Sequence, residues 1–141
     1  MQYYAAIDTN VIVSAFLKED SIPNQVVKKA LKGPIVPLLS MEAIGEYEEV
    51  LLRNKFKLEK EVVYEFLTQF SKRAIFLEGT KTNEKFIDQD DIIFYEIILS
   101  VKNIDDAYLV TVNKKHYPVK PFVVSPREML DIIESNEDYN L

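Results

Sequence analysis

The order of apolar and polar residues along the chain predicts short strands, each followed by helices. Residues 3–7 form a mostly apolar run of strand length, and residues 10–17 follow as an apolar helix after a turn of one or two residues. A second helix is predicted from Pro23 through residue 31, and Gly33-Pro34 ends it. The chain therefore starts with one strand and two helices.

The rest of the chain continues this alternation. Further strands are predicted at residues 35–39, 74–77, 107–112 and 122–124, and further helices at residues 40–53, 59–72, 88–101 and from 125 onwards. Ser40 is a natural N-cap, and the segment from Ser125 to Glu128 contains a capping serine, a helix-starting proline and a capping-box glutamate. The alternation predicts an α/β fold, a three-layer α/β/α sandwich with a mainly parallel central sheet.

The pattern also predicts a single domain. No repeat, low-complexity tract or flexible linker interrupts the periodic segments, and 141 residues with 48% apolar content suit one hydrophobic core. We expect this domain to span residues 1–135 and residues 136–141 to fray.

Polar residues directly follow two of the predicted strands. Asp8 comes after the first strand, and Asn113 comes after the strand at residues 107–112. Parallel pairing would bring both to one edge of the sheet, where α/β proteins place their chemistry. The alternative interpretation of Asp8 is that it only caps the helix that follows it.

One glutamate of the helix at residues 40–53 borders its apolar face. Glu46 lies about 40° around the helix from Val50, so it is the acid best placed to point into a cleft. Glu49 is expected to face solvent and to pair with Arg53 one turn later. Taken alone, Glu46 could also be simply a solvated residue.

A cluster of acids heads the apolar helix predicted near residue 92. Asp88, Asp90 and Asp91 would complement the helix dipole, but that explains only one or two of them. Because this helix is apolar nearly all round, it is expected to be buried, and its acidic end would have a fixed place in the fold. Glu96, inside the apolar sequence, is either a paired core acid or a member of the same site.

Convergence of Asp8, Glu46 and Asp91 would require a compensating positive charge, either a bound cation or Arg53, Lys114 or Lys115 approaching from the ends of the segments. Each carboxylate pair at ~4 Å would repel by about 4 kcal/mol at an effective dielectric near 20. The chain has no cysteine and one histidine, which excludes thiolate and histidine-cluster sites. Oxygen-only sites suit Mg²⁺ or Mn²⁺, and such ions can activate water and stabilise the leaving oxygen of a phosphodiester.

Charge and hydropathy narrow the class of protein. The net charge of −6 disfavours nucleic-acid binding through a basic surface alone, although bound cations would invert the charge locally. The apolar runs are shorter than the ~20 residues that cross a bilayer, and the N-terminus lacks the features of a secretory signal. A soluble cytoplasmic protein with no membrane association is expected.

Taken together, four segments resemble the PIN-domain family, specifically its bacterial branch of toxin components of toxin-antitoxin pairs. The segment from Asp8 to Ser14 is similar to the opening motif of the family, which carries its first acid and a supporting hydroxyl residue. Residues 40–51 and 88–94 resemble the segments with the second and third acids, and residues 108–113 resemble the strand and turn with a fourth polar position. The resemblance covers essentially the whole chain.

The resemblance implies a site and roles for its residues. Asp8, Glu46 and Asp91 would bind Mg²⁺ or Mn²⁺, with Asp88 or Asp90 as alternates for the third acid, and Asn113 would complete the catalytic set. Many relatives have aspartate where this chain has Asn113, so a single metal ion or a weakly held second one is expected. Residues expected to support the ligands are Thr9, Asn10, Asp88, Asp90, Glu96 and Thr111.

The implied activity is an endoribonuclease with RNA as its substrate. Lys114, Lys115 and His116 directly follow Asn113 and are candidates for RNA contacts, or else form a solvated turn. The family further implies an antitoxin partner and a homodimer. An alternative is a catalytically weakened RNA-binding or regulatory module. A phosphoacceptor receiver domain fits poorly, because no isolated aspartate ends a middle strand.

Overall fold

The computed structural model describes residues 1–101, 103 and 106–139. A five-stranded sheet forms its centre, in the order β3-β2-β1-β4-β5, and every neighbouring pair of strands is parallel. The strands are β1 (Tyr3–Ile7), β2 (Ile35–Leu39), β3 (Ile75–Phe76), β4 (Ala107–Val110) and β5 (Val123–Val124).

Six α-helices flank the sheet in the described part of the chain. They are α1 (Thr9–Leu17), α2 (Ile22–Lys32), α3 (Met41–Leu51), α4 (Lys60–Arg73), α5 (Ile92–Leu99) and α6 (Pro126–Tyr139). Short 3₁₀ turns are found at Asn54–Phe56, Gln89–Asp91 and Lys114–His116. The predicted α/β/α sandwich with a parallel sheet is confirmed.

The central strand β1 is apolar without alternation because helices cover both faces of the sheet. Ala5, Ala6 and Ile7 are fully buried, as expected for a parallel strand between two helical layers. Strand β1 pairs with β2 on one side and with β4 on the other. Its carboxyl end therefore lies in the middle of the sheet edge, and the next residue is Asp8.

Serine caps define the start of three helices, two of them as predicted. The Ser40 hydroxyl accepts from the backbone N–H of Ala43 at the start of α3, and Ser21 caps α2 in the same way. At α6, Ser125 and Glu128 bond each other's backbone N–H groups, which is the predicted capping box.

The acid-rich start of α5 differs from the prediction of a continuous helix. Residues Gln89–Asp91 form a separate 3₁₀ turn, because the Asp88 carboxylate accepts from the backbone N–H of Asp90 and caps it. The α-helix itself begins at Ile92 and ends at Leu99, two residues before the predicted end. Asp91 therefore lies at the junction of the turn and the helix.

The last strands and helix also have boundaries other than predicted. Strand β4 ends at Val110 rather than residue 112, since the Thr111 hydroxyl accepts from the backbone N–H of Asn113 and turns the chain. Helix α6 continues through Tyr139, beyond residue 135, where the domain was expected to end. The side-chain amide of Asn136 donates to the hydroxyl of buried Tyr3 over 2.7 Å, which ties this end to the sheet. Residues 140 and 141 lie outside the described part.

Among the described residues, no helix has the length and apolar character that crossing a membrane requires.

Candidate functional site

A small cavity lies at the carboxyl end of β1, where the chain leaves the sheet and enters α1. Its volume is about 110 Å³, and its walls come from the start of α1, from α3 and from the turn before α5. We call it the acidic cavity. It is lined by Asp8, Thr9, Asn10, Glu46, Val50, Arg53, Asp88, Asp90, Asp91 and Phe94.

Asp8 is buried in the wall of this cavity and held by three donors. Its Oδ1 accepts from the backbone N–H of Asn10 over 2.7 Å, which caps α1. Its Oδ2 accepts from the Thr111 hydroxyl over 3.0 Å and from the Tyr117 hydroxyl over 2.8 Å. Burial raises the pKa of Asp8, and these hydrogen bonds oppose the rise by stabilising the carboxylate. Asp8 is therefore both the helix cap and a fixed acid of the cavity.

Asp91 is 6% exposed and lines the same cavity as Asp8. Burial first, and then repulsion from Asp8 and Asp88, raise its pKa to about 6. His116 acts in the opposite direction, with its Nδ1 lying 3.3 Å from Asp91 Oδ2. The alignment of this contact is too poor for a hydrogen bond, so Oδ2 is buried with no hydrogen-bond partner among the described residues.

Glu46 is half-buried on α3 and lines the cavity. Burial raises the pKa of its carboxyl, and repulsion from Asp90 and Glu49 adds to the rise. Arg53 also lines the cavity, but its guanidinium pairs with Glu49 over 2.8 Å, as predicted for this i,i+4 pair. The negative charge of Glu46 is therefore only partly balanced.

Tyr47, the neighbour of Glu46, links the elements that carry the three acids. Its hydroxyl donates to the backbone carbonyl of Ile7, the residue before Asp8. Its ring stacks on Phe94 of α5, with centroids 5.8 Å apart and planes inclined by 18°. One fully buried side chain thus fixes α3 against both β1 and α5.

The donors of the acidic cavity fit a hard divalent cation in their chemistry. Asp8, Glu46 and Asp91 offer only oxygen, all three have raised pKa values, and Asp91 Oδ2 lacks a hydrogen bond. Their spacing, however, is not that of a formed site. In the part of the chain that the structure describes, no three acidic or histidine side chains converge closely enough to hold a metal ion. Binding a cation requires them to move closer together.

Comparison with known proteins decides the family. The family model described as PIN domain matches residues 4–115, which is most of the chain. The chain belongs to the PIN domain family. PIN domains are generally nucleases, so the fold is of a nuclease type. No curated protein matches the chain.

In this PIN domain, Asn113 lies beside the acidic cavity and not among the residues that line it. It contributes to a second cavity of about 380 Å³, together with Thr111, Val112, Lys114, Lys115, His116 and Ser125. Its backbone N–H donates to the Thr111 hydroxyl, which in turn donates to Asp8. Asn113 was expected to complete the catalytic set beside the three acids, and the structure places it in the second cavity, next to Thr111.

The candidate RNA-contact residues form the 3₁₀ turn that follows Asn113. Lys114 pairs with Glu128 of α6 over 2.9 Å, and His116 is turned towards Asp91. Lys115 is exposed and forms no ion pair within the described residues. Of the three, Lys115 is the side chain most available to a phosphate.

Glu96, one of the residues expected to support the ligands, does not line the acidic cavity. Its carboxylate accepts from the backbone N–H of Thr82 over 3.2 Å and lies 3.6 Å from the ammonium of Lys81. Lys81 and Thr82 thus pair with the carboxylate of Glu96, in agreement with its interpretation as a paired core acid.

Sequence reasoning missed Tyr117, which contacts Asp8 directly. It lies two residues beyond the matched part of the PIN domain, in a stretch with no motif. A buried tyrosine is usually a core residue, and this one also packs edge-on against Phe86. The only signal in the sequence is that Tyr117 follows His116 and lies close to Asn113, which was predicted to lie at the carboxyl edge of the sheet.

Proposed function

We propose that this PIN domain is a Mg²⁺- or Mn²⁺-dependent endoribonuclease. The observation that carries the proposal is that three buried or half-buried carboxylates, all with raised pKa values, line one cavity at the carboxyl end of the central strand. Such a concentration of partly uncompensated charge is costly for the fold, and it is typical of a functional site.

Asp8, Glu46 and Asp91 would hold the cation. When bound, it would supply activation of a water molecule and neutralisation of the charge that develops on a phosphodiester. Thr111 and Tyr117 orient Asp8, and Tyr47 holds α3 at the distance that brings Glu46 to the cavity.

Because the molecule as a whole is acidic, RNA would contact it at individual exposed cations near the site. Lys115 is exposed, forms no ion pair in the described structure and lines the second cavity, next to His116. With a net charge of −6, few phosphates can be neutralised by side chains, so the bound metal ion would carry much of the attraction.

The finer proposal is that the protein is the toxin of a type II toxin-antitoxin pair, acting in the cytoplasm and restrained by an antitoxin protein. Its support is the similarity of the segments at residues 8–14, 40–51, 88–94 and 108–113 to the bacterial toxin branch of the family. A toxin should arrest growth when its production is induced in a bacterial host, and Asp8→Asn should remove the arrest.

A cleavage assay tests the ribonuclease proposal. A structured RNA should be cut in the presence of Mn²⁺ and remain intact with a chelator, and Asp8→Asn, Glu46→Gln and Asp91→Asn should each reduce the rate by at least about a hundredfold, because each removes the charge of one ligand. Glu42→Gln is the matched control, since Glu42 is exposed on the same helix as Glu46 and does not line the cavity. Near-normal cleavage by two of the three site variants would disprove the assignment.

A second candidate is an RNA-binding module without cleavage activity. It is favoured by Asn113, which brings no charge and lines the second cavity. RNA that binds the protein but stays intact with Mn²⁺ would support this alternative.

A further inference from the structure

Two consecutive residues, His116 and Tyr117, reach two different acids of the acidic cavity. His116 Nδ1 lies 3.3 Å from Asp91 Oδ2, and the Tyr117 hydroxyl donates to Asp8 Oδ2 over 2.8 Å. The turn that carries them is held by its own backbone, with the N–H groups of both residues bonded to the carbonyls of Asn113 and Lys114. The position of Tyr117 is therefore well defined relative to the site.

The hydrogen bonds of Asp8 distinguish its two oxygens. Each carboxylate oxygen has two lone pairs. Oδ2 accepts from both Thr111 and Tyr117, so its lone pairs are used, whereas Oδ1 accepts only from the backbone N–H of Asn10. One lone pair of Oδ1 is left for a cation.

Tyr117 is more than a core residue that happens to lie near the site. It is 4% exposed, and a buried tyrosine needs a partner for its hydroxyl. Here the partner is a carboxylate that already has two other donors, and the ring is fixed edge-on against Phe86 at 5.8 Å. Rotation of the Asp8 carboxylate would break two side-chain hydrogen bonds at once.

We infer that Tyr117 is a positioning residue of the proposed metal site: together with Thr111 it occupies Asp8 Oδ2 and presents Oδ1 to the cation. This inference rests on the proposed function. It extends the functional unit beyond residues 4–115, the part matched by the family model, into the turn before β5. Outer partners of metal ligands commonly change metal affinity by about 10- to 100-fold when they are removed.

The test is the Mn²⁺ affinity of Tyr117→Phe, measured at constant pH by the paramagnetic resonance signal of free Mn²⁺. The variant keeps the ring and removes only the hydroxyl, so the Kd for Mn²⁺ should rise about tenfold. RNA cleavage should fall at low Mn²⁺ and recover at high Mn²⁺, because the ligands themselves remain. A merely structural role would not produce this dependence on metal concentration.

Tyr3→Phe is the matched control. Tyr3 is equally buried, and its hydroxyl is bonded to Asn136 at the other end of the sheet. Both variants lose one hydrogen bond of a buried tyrosine, so a loss of stability is expected in each, but only Tyr117→Phe should change the affinity for Mn²⁺. Thr111→Val, which removes the other donor to Oδ2, provides a second test if Tyr117→Phe folds poorly, and it should weaken Mn²⁺ binding similarly.

The outcomes separate this inference from the proposed function. If the wild-type protein binds no Mn²⁺, the proposed metal site is wrong. It is also wrong if Asp8→Asn binds Mn²⁺ with the same affinity as the wild type. If the wild type binds Mn²⁺ through Asp8 but Tyr117→Phe and Thr111→Val bind it equally well, the metal site remains and the positioning role is overturned.

Discussion

At the scale of single residues, burial of Asp91 makes the fold sensitive to pH. The pKa of its carboxyl is about 6 in the folded protein, above the ordinary value of 3.8, so between these pH values the folded state binds more protons than the unfolded state. Stability must therefore decrease as pH rises through this window, and the cost is fully present above it. The raised pKa values of Asp8 and Glu46 act in the same direction.

We predict that the metal-free protein is more stable at pH 5 than at pH 7. Asp91→Asn should flatten this dependence and raise the free energy of unfolding at pH 7 by up to about 3 kcal/mol, since the amide carries no charge to repel Asp8. Denaturant unfolding in the presence of a chelator at the two pH values measures both effects. Asp20→Asn, at an exposed position between α1 and α2, should leave the dependence unchanged. Lower stability of the wild type at pH 5 would contradict the prediction.

At the scale of elements, the site depends on how α3 and α5 pack against β1. Tyr47 makes both contacts, through its hydroxyl to the carbonyl of Ile7 and its ring to Phe94. The same ring also meets Phe70 of α4 edge-on, with centroids 5.9 Å apart. The position of Glu46 therefore follows from the neighbouring tyrosine, which sits in the core that three helices and the sheet share.

Tyr47→Phe should lower the free energy of unfolding by about 1–3 kcal/mol, because a buried carbonyl loses its donor while the ring packing stays. Urea denaturation measures the change. The comparison is Tyr64→Phe on α4, where the side chain is 46% exposed and no loss is expected. Equal stability of Tyr47→Phe and the wild type would mean that the packing of rings alone fixes α3.

At the scale of the whole molecule, the fold could be predicted from periodicity, because each apolar run has the length of one element. The element boundaries that differ from the prediction depend on side chains that form hydrogen bonds with nearby backbone groups. Asp88 caps a separate turn before α5, and Thr111 ends β4 early. Neither effect changes the hydrophobic pattern, so the pattern could not reveal them.

The candidate site could be predicted only in part. Parallel strands place Asp8 at a known edge, helical periodicity pointed to Glu46, and the resemblance to a family selected Asp91; both acids line the same cavity as Asp8. Asn113 lines the second cavity instead, and Glu96 bonds to Thr82, so a polar residue in the right segment does not always lie at the site. Tyr117 required the structure, because its hydroxyl reaches a residue far away in the sequence.

The charge of the molecule as a whole makes its stability depend on salt. A protein with a net charge of −6 is stabilised by any salt to some extent, because ions screen the repulsion among its 23 acidic residues. A specific site adds a separate effect, since a ligand that binds only the folded state stabilises it by about 2.7 kcal/mol at a concentration 100 times its Kd. For a domain of this size, that corresponds to a rise in Tm of roughly 10 °C.

Mn²⁺ should therefore raise the Tm of the wild type well beyond the effect of NaCl at the same ionic strength, as measured by scanning calorimetry. In Asp8→Asn the two salts should act alike, because the variant keeps most of the net charge but loses a ligand. Glu42→Gln removes the same amount of charge from an exposed position and should keep the full response to Mn²⁺. An equal response of Asp8→Asn and Glu42→Gln would place the cation outside the acidic cavity.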